Sequence, residues 1–394
     1  GCVMTAEVTD RPATTEIGRD RRRKEDQRLI TGRTRWTDNI VLPGMLHMAM
    51  VRSPFAHARI TSVDTSEAAS ATNVVAVYSG ADLDESVGVL INAWPVSPDQ
   101  VTPVHPPMPA DRVTFAGEIV ALVVARSAAE ARDAAELIDV DYEELPAALD
   151  LKEAAEDTVL AHPDLGTNKS ALWTFDSAEA GTGGDVEKAI ATARQDGIVI
   201  EREYRQQRLI PAFMEPRSVV VDPTGEQLTM WTATQIPHIV RFALAATTGV
   251  PESKIRVIAP DVGGGFGGKL QVTPEEWLAW WVARQLGRPV KYTETRSESL
   301  MAAHHGRDQW QKLVLAADTL VAVGLRILPK AEDAGLAASA AAILGVPVIA
   351  VGQDALPAFW SRDSGLPAPL RMDDPAQIAA SARMRRAMGL PGGQ

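Results

Sequence analysis

Between the apolar, β-branched run Lys254–Val262 and a segment with strong helix signals at Thr273–Gly287 lies the sequence Gly263-Gly-Gly-Phe-Gly-Gly-Lys269. Five glycines in six residues leave almost no side chain, so the backbone amides can approach a ligand closely and adopt conformations closed to other residues. Two phosphate-binding signatures share this spacing. Gly263-x-Gly265-x-x-Gly268 satisfies the dinucleotide pattern, and Gly263-x4-Gly268-Lys269 satisfies most of a P-loop. The P-loop reading lacks, at Leu270, the Ser or Thr hydroxyl that would hold magnesium. In the dinucleotide reading, Gln271-Val272-Thr273-Pro274 delays the helix past the last glycine, which removes the helix dipole on which the fingerprint relies. A turn without ligand and a nucleotide-binding module both stay open at this point.

The chain has 394 residues, enough for two or three domains with real cores. Its formal net charge of -12 argues against nucleic acid or an anionic membrane surface as partner. Cys2 is the single cysteine, so neither a disulfide framework nor a cysteine-ligated iron–sulfur cluster can be built within the chain. The histidines are scattered, apart from His304-His305, and no HExxH occurs, so no protein-ligated metal is expected. No apolar run is long enough to span a bilayer and no signal-peptide core is visible, which sets the cytoplasm as the expected compartment.

Residues 1–24 are polar and end in Arg21-Arg22-Arg23-Lys24, the composition of a disordered tail. From there to residue 149 short strands alternate with one clear helix. Glu118–Ala125 reads as a strand, Ser127-Ala-Ala-Glu130 as a capping box opening a helix over Ala128–Leu137, and Ile138–Tyr142 as the second strand of a βαβ-like unit. The Pro- and Gly-containing stretch at 150–167 reads as a linker. Beyond it, Asp185 caps a helix over Val186–Arg194, and Val219–Asp222 with Leu228–Thr234 flank the turn Asp222-Pro-Thr-Gly225 as a hairpin. Pro237–Gly249 reads as a helix. In the one after the loop, Thr273, Pro274, Glu276 and Gly287 stand at the positions of N-cap, first turn, capping box and C-cap, and Trp277, Trp280 and Trp281 make it a buried core helix. From Pro329 the character shifts: Ala331–Leu344 is helical in composition and Gly345–Val351 is an apolar strand.

Five segments, in order, resemble one family. Lys24-Glu-Asp-Gln-Arg-Leu-Ile-Thr-Gly32, Arg52-Ser-Pro-Phe-Ala-His-Ala58, Met214-Glu-Pro-Arg217, Thr232-Ala-Thr-Gln235 and Gly263–Lys269 are similar to motifs of the molybdopterin-binding large subunits of the xanthine dehydrogenase, aldehyde oxidase and aerobic carbon monoxide dehydrogenase group. The resemblance implies an α+β architecture: an α/β-hammerhead domain at 25–149, then the first part of a molybdenum-cofactor-binding domain at 168–328. It implies that Gln235 donates its amide to an oxygen of the molybdenum centre, and that Gly265, Phe266 and Gly267 line the cofactor, molybdenum with molybdopterin cytosine dinucleotide. Neutral donors suit that task, because they stabilise charge gained on reduction without competing for the metal. It further implies oxidation of carbon monoxide, an aldehyde or a heterocycle with oxygen from water. Because this chain cannot ligate iron–sulfur clusters, separate iron–sulfur and FAD subunits are implied to carry the electrons away. Purine-oxidising relatives carry a Glu where Leu270 stands. The family's catalytic glutamate falls in a second half not present here, so no catalytic residue is assigned and the chain alone is expected to be inactive.

The last segment resembles something else. Gly345-Val-Pro-Val-Ile-Ala-Val-Gly352, Leu356–Gly365 and Gly389-Leu-Pro-Gly-Gly393 are similar to pseudouridine-5′-phosphate glycosidases. That family's Schiff-base lysine has no counterpart in a matching context, and Lys330 is a poor candidate. The sequence thus reads as a composite joined near 329–344, with a glycosidase-like fragment at 329–394 and a glycosidase activity as the alternative function.

Overall fold

In the computed structural model, residues 22–92, 97–177, 179, 181, 183–317, 322–326, 349–350 and 370–371 are described. Strands in the first part are β1 (Leu46–Arg52), β2 (Ala58–Asp64), β3 (Val74–Ser79), β4 (Arg112–Val113), β5 (Ile119–Ala125) and β6 (Asp139–Glu144). The second part adds β7 (Ile198–Gln206), β8 (Ser218–Asp222), β9 (Leu228–Thr232), β10 (Ile255–Ile258), β11 (Val290–Thr293), β12 (Gln309–Ala317) and β13 (Ala322–Arg326). The helices are α1 (Asp26–Ile30), α2 (Ser66–Ser70), α3 (Ala128–Ala135), α4 (Leu151–Ala155), α5 (Val186–Asp196), α6 (Pro237–Thr248), α7 (Pro274–Leu286) and α8 (Arg296–Ala302). Sheets and helices together make the α+β architecture expected from the sequence.

One seven-stranded sheet, ordered β10-β9-β8-β11-β1-β5-β3, carries the glycine loop at one side. β1 pairs in parallel with β11, with Leu46 opposite Val290, so strands from both sides of the segment 150–167 share a single sheet. They also share a core: Leu46, Met48, Leu122 and Val124 pack in one cluster with Val219, Met230, Trp277, Trp280 and Val290. All seven residues of β5 are buried, which is what a continuous apolar run means in a sheet covered on both faces.

The expected βαβ-like unit does not form. β5 lies in the large sheet, whereas β6 pairs with β2 in a separate three-stranded sheet ordered β4-β2-β6. The physical reason is visible in β6, where Val140 and Tyr142 alternate with the acidic Asp139, Asp141 and Glu143. Such a strand has one face to bury and cannot sit where both faces are covered. Between them α3 is capped as expected by Ser127, whose hydroxyl oxygen accepts the Glu130 N–H at 3.3 Å; the Glu130 carboxylate turns to the Ser127 hydroxyl at 2.8 Å.

The elements around the loop follow local signals closely. β8 and β9 form the antiparallel hairpin, and Asp222 Oδ1 closes its turn by accepting the Thr224 N–H at 3.0 Å. α7 begins at Pro274 behind its capping box and ends before Gly287 at φ +60°. Trp277 and Trp280 are fully buried, and α7 packs on β8 and β11. The strand expected over Lys254–Val262 is shorter, ending at Ile258, because Pro260 has no N–H for a ladder. The segment 150–167 holds the short helix α4, capped by Asp150.

Residues 1–21 of the N-terminal tail, Lys330, the helix expected over Ala331–Leu344 and the join at 329–344 lie outside the described residues. Of the strand expected over Gly345–Val351, Ile349–Ala350 pairs in parallel with Leu370–Arg371. Among the described residues no helix is long and apolar enough to cross a membrane.

Candidate functional site

The loop leaves β10 through Ala259-Pro260-Asp261 and is gripped at its first glycine. Gly263 N–H donates to Glu215 Oε2 at 2.7 Å, and Glu215 N–H donates to the Gly263 carbonyl at 3.2 Å. A Cβ on Gly263 would fall 2.5 Å from Glu215 Cβ, so the approach requires glycine. Gly264 and Gly267 take φ of +95° and +85°, and Phe266, 79% exposed, takes +49°. A bulky residue in left-handed backbone persists only where the surroundings impose it. At the far end Gly268 N–H closes onto the Gly265 carbonyl at 2.8 Å, with Pro211 and Phe213 where a Cβ would be.

Gln235 lies three residues beyond the end of β9, and the loop wraps it. Its N–H donates to the Lys269 carbonyl at 2.9 Å, and its Oε1 accepts the Gly267 N–H at 3.1 Å. Since Gly267 offers a donor, the carboxamide oxygen must face it, and the NH2 is left as the outward group of an exposed residue. Gly265 makes this possible, because a Cβ there would fall 2.3 Å from Gln235 Oε1. The structure therefore brings Gln235, Gly265 and Gly267 together, and Phe266 stands on the same loop with its ring turned out.

Lys269 decides against the P-loop reading. A P-loop lysine must reach phosphates, but this side chain is fully buried, with Nζ 2.9 Å from Glu215 Oε2 and 4.8 Å above the centre of the Phe213 ring. Burial lowers its pKa below the ordinary lysine value, against the opposing pull of Glu215. The start of α7 at Pro274 likewise keeps a helix N-terminus away from the glycines.

Beneath the loop lies a buried ion network that the sequence reading did not find. Arg217 Nε donates to Glu294 at 2.9 Å and its terminal nitrogens reach Glu275 at 2.9 and 3.2 Å. Arg52 donates to Glu275 at 2.7 Å, to Glu298 at 3.0 Å and to the Tyr292 hydroxyl at 2.9 Å. Burial alone would raise Glu275, yet the Arg217 and Arg52 charges hold it at about 2. Its neighbour Glu276 has no such partner, and burial pushes it up to about 6 despite bonds from the Thr232 hydroxyl and the Thr273 N–H. Arg296 of α8 donates to the Phe213 and Met214 carbonyls, both at 2.8 Å, fixing the segment that presents Glu215. Arg52 and Arg217 belong to two of the sequence motifs, and each stands at the edge of an apolar strand, Arg52 directly after Met48–Val51 and Arg217 two residues before Val219–Val221, which is the signal that would have found them.

Around the loop, then, stand neutral donors, on Gly264, the buried Gly265 and the exposed Phe266. The amides of Gly264, Gly265 and Phe266 have no acceptor among the described residues, and the Gln235 NH2 lies beside them. Such a set suits an anionic or oxo oxygen. Among the described residues no group of three or more His, Cys, Asp or Glu could hold a metal ion directly.

Three family models match the chain. The aldehyde oxidase and xanthine dehydrogenase a/b hammerhead domain covers residues 31–146, the molybdopterin cofactor-binding domain covers 162–328, and the Indigoidine synthase A like protein model covers 333–394. The nicotine 6-hydroxylase large subunit of Paenarthrobacter nicotinovorans is 35% identical over 305 residues, 77% of this chain and 36% of its own. The carbon monoxide dehydrogenase large chain of Afipia carboxidovorans is 35% identical over 332 residues, 80% of this chain and 40% of its own. Among solved structures, quinoline 2-oxidoreductase from Pseudomonas putida 86 superposes with a TM-score of 0.69 at 39% identity, over 75% of this chain and 37% of that one. The Cu,Mo-CO dehydrogenase superposes with a TM-score of 0.67 at 32% identity, over 79% and 39%. The chain thus spans between 36% and 40% of the length of these relatives.

Proposed function

We propose, since residues 31–328 belong to the molybdopterin-binding large-subunit family of molybdenum-dependent oxidoreductases, that the face carrying Gln235 and Gly265–Gly267 is one wall of a molybdenum-cofactor cleft. The observation that carries this reading is the carboxamide of the exposed Gln235, whose oxygen is tied to the Gly267 N–H, so that its NH2 and the Gly264, Gly265 and Phe266 amides are left without an acceptor among the described residues. When bound, the cofactor supplies the two-electron redox chemistry and the activation of the oxygen that is transferred. The residues of this chain would hold it as neutral donors: Gln235 to an oxygen of the metal centre, and the Gly265–Gly267 backbone along the cofactor. Neutral donors fixed before reaction stabilise developing negative charge without reorganising.

The finer assignments follow from that reading. The cofactor is molybdenum with molybdopterin cytosine dinucleotide, and the reaction is oxidation of carbon monoxide, an aldehyde or a heterocycle with oxygen from water. Electrons pass to separate iron–sulfur and FAD subunits, in the cytoplasm. A hammerhead segment at 25–149 and a cofactor segment at 168–328 divide the matched part. Glu215 and Lys269, the titratable pair at the loop, meet one another inside, and among the described residues no titratable side chain bonds to the Gln235 carboxamide. We therefore expect no turnover from this chain alone.

Expression with molybdate, followed by molybdenum and pterin analysis and a dye-reduction assay, tests the reading. Bound molybdopterin that is lost in Gln235→Leu is the expected result. Absence of any pterin from well-folded wild-type protein would refute the cleft, and turnover by the chain alone would refute the expected inactivity.

A further inference from the structure

Besides the bond from its N–H to the Gly263 carbonyl, Glu215 touches the loop twice through its carboxylate, at the loop's opposite ends. A single oxygen, Oε2, accepts the Gly263 N–H at 2.7 Å and the Lys269 Nζ at 2.9 Å. We infer that Glu215 is a clasp, a positioning residue whose one carboxylate oxygen closes the glycine loop and thereby sets the orientation of the Gln235 amide. The inference rests on the cofactor-cleft reading for its functional meaning, although the clasp itself is a property of this chain.

Three observations carry it. Lys269 has no exposed side-chain surface, and a buried ammonium without a partner costs several kcal/mol, so the loop end cannot take this position unless the carboxylate is there to meet it. The connection then continues through bonds without a gap. The Lys269 carbonyl accepts the Gln235 N–H at 2.9 Å, and the Gly267 N–H, two residues back along the same loop, holds Gln235 Oε1 at 3.1 Å. Moving Lys269 moves both anchors of Gln235 together. Finally, Glu215 is itself fixed from outside the loop, because Arg296 holds the carbonyls of the two residues before it and the buried Arg217 follows two residues after. A rigid support, a single oxygen and a loop closed at both ends make a latch rather than an incidental ion pair. The other carboxylate oxygen, Oε1, is buried and has no hydrogen-bond partner among the described residues, so the geometry favours the clasp contacts over full satisfaction of the carboxylate.

The test must separate a clasp from general support of the fold. Glu215→Leu with Lys269→Met removes both charges at once, so no unpaired ion stays buried and the core keeps its volume. Hydrogen exchange is read by mass spectrometry on the full chain over peptides that begin at or before residue 261 and run through 270, where the Gly263, Gly267, Gly268 and Leu270 amides are the bonded ones. The clasp requires these amides to exchange about tenfold faster or more in the double variant, while peptides of α7 and β8 keep wild-type rates and the melting temperature stays near wild type. Wild-type loop exchange in the folded double variant overturns the inference, as does an increase spread evenly over the whole chain. Glu215→Gln with Lys269→Met is the second variant, because its amide oxygen still accepts the Gly263 N–H and should keep that amide slow; fast exchange there would also overturn it. Pterin content is measured in parallel. If wild type binds none, the cleft reading fails while the exchange contrast still decides the clasp.

Discussion

Replacing Glu276 by glutamine should stabilise the protein at neutral pH, although it removes a charge at the N-terminus of a helix, where a negative charge is ordinarily favourable. Glu276 is buried, and burial raises its pKa from the ordinary glutamate range to about 6. A carboxyl raised on folding contributes its stability fully below the unfolded value, about 4.3, and loses it as pH rises through the folded value. Between those limits the shift corresponds to about 2 kcal/mol at roughly 1.4 kcal/mol per unit. Glutamine keeps the local bonds: its Oε1 can accept the Thr273 N–H and its NH2 can donate to the Thr232 hydroxyl, the two groups now at the carboxylate. Urea unfolding of Glu276→Gln and wild type, followed by the fluorescence of the adjacent buried Trp277 and Trp280, should give equal stability near about pH 4 and a variant more stable by about 2 kcal/mol near about pH 7. Titrating groups that do not interact with Glu276 cancel in the difference between the two curves, which leaves Glu276 and its coupling to Glu275 and Arg217. A variant less stable than wild type near neutrality, or a difference that does not change with pH, would refute the assignment of a raised carboxyl to this position.

Gly265→Ala should push the Gln235 side chain off the loop, since the new Cβ would fall 2.3 Å from its Oε1. Gln235 is exposed and can swing away, so the melting temperature should change little while exchange at the Gly267 amide quickens, reflecting a lost bond of about 1 kcal/mol. Arg217→Met leaves Glu294 and Glu275 buried with one cation between them, and chemical denaturation should show a loss of about 3–5 kcal/mol; a loss below about 1 kcal/mol would show that the network does not confine those charges.

How much of this could be read from the sequence depends on the distance over which the signal acts. Thr273, Pro274, Glu276 and Gly287 announce α7 because capping is settled within one turn at each end. The hairpin at Asp222 is legible for the same reason. Sheet membership is not local, and β5 and β6 show it: both read as strands, yet one is apolar throughout and the other alternates, so they could not share a sheet covered on both faces. That contrast was present in the residues and outweighs the helix between them. The ion network was harder to see. Arg52 meets Glu275 and Glu298 across more than two hundred residues, and no periodicity links such partners. Gln235 and the glycines could be named from their motifs, but the bond from Gly267 that turns the amide outward exists only in the folded loop.

The placement of charge around the loop explains why a site of neutral donors sits on so many buried ions. Replacing buried ion pairs by apolar residues of similar volume is often neutral or stabilising, so Arg52, Arg217, Glu275 and Glu294 are weakly justified by stability alone. Their bonds are directional. Arg217 fixes β8 against α7 and the end of β11, and the segment that leads into β8 presents Glu215 to the loop. Each ion is neutralised inside, so the outward face of the loop carries donors without net charge and their direction is set by elements that cannot slide. An arrangement of that kind supports a proposed redox cofactor well, because a fixed cation at the face would bias the charge state of the bound group, whereas oriented amides respond to it without moving. Rigidity is then the contribution of the ions, and it reaches the donors through the Glu215 clasp.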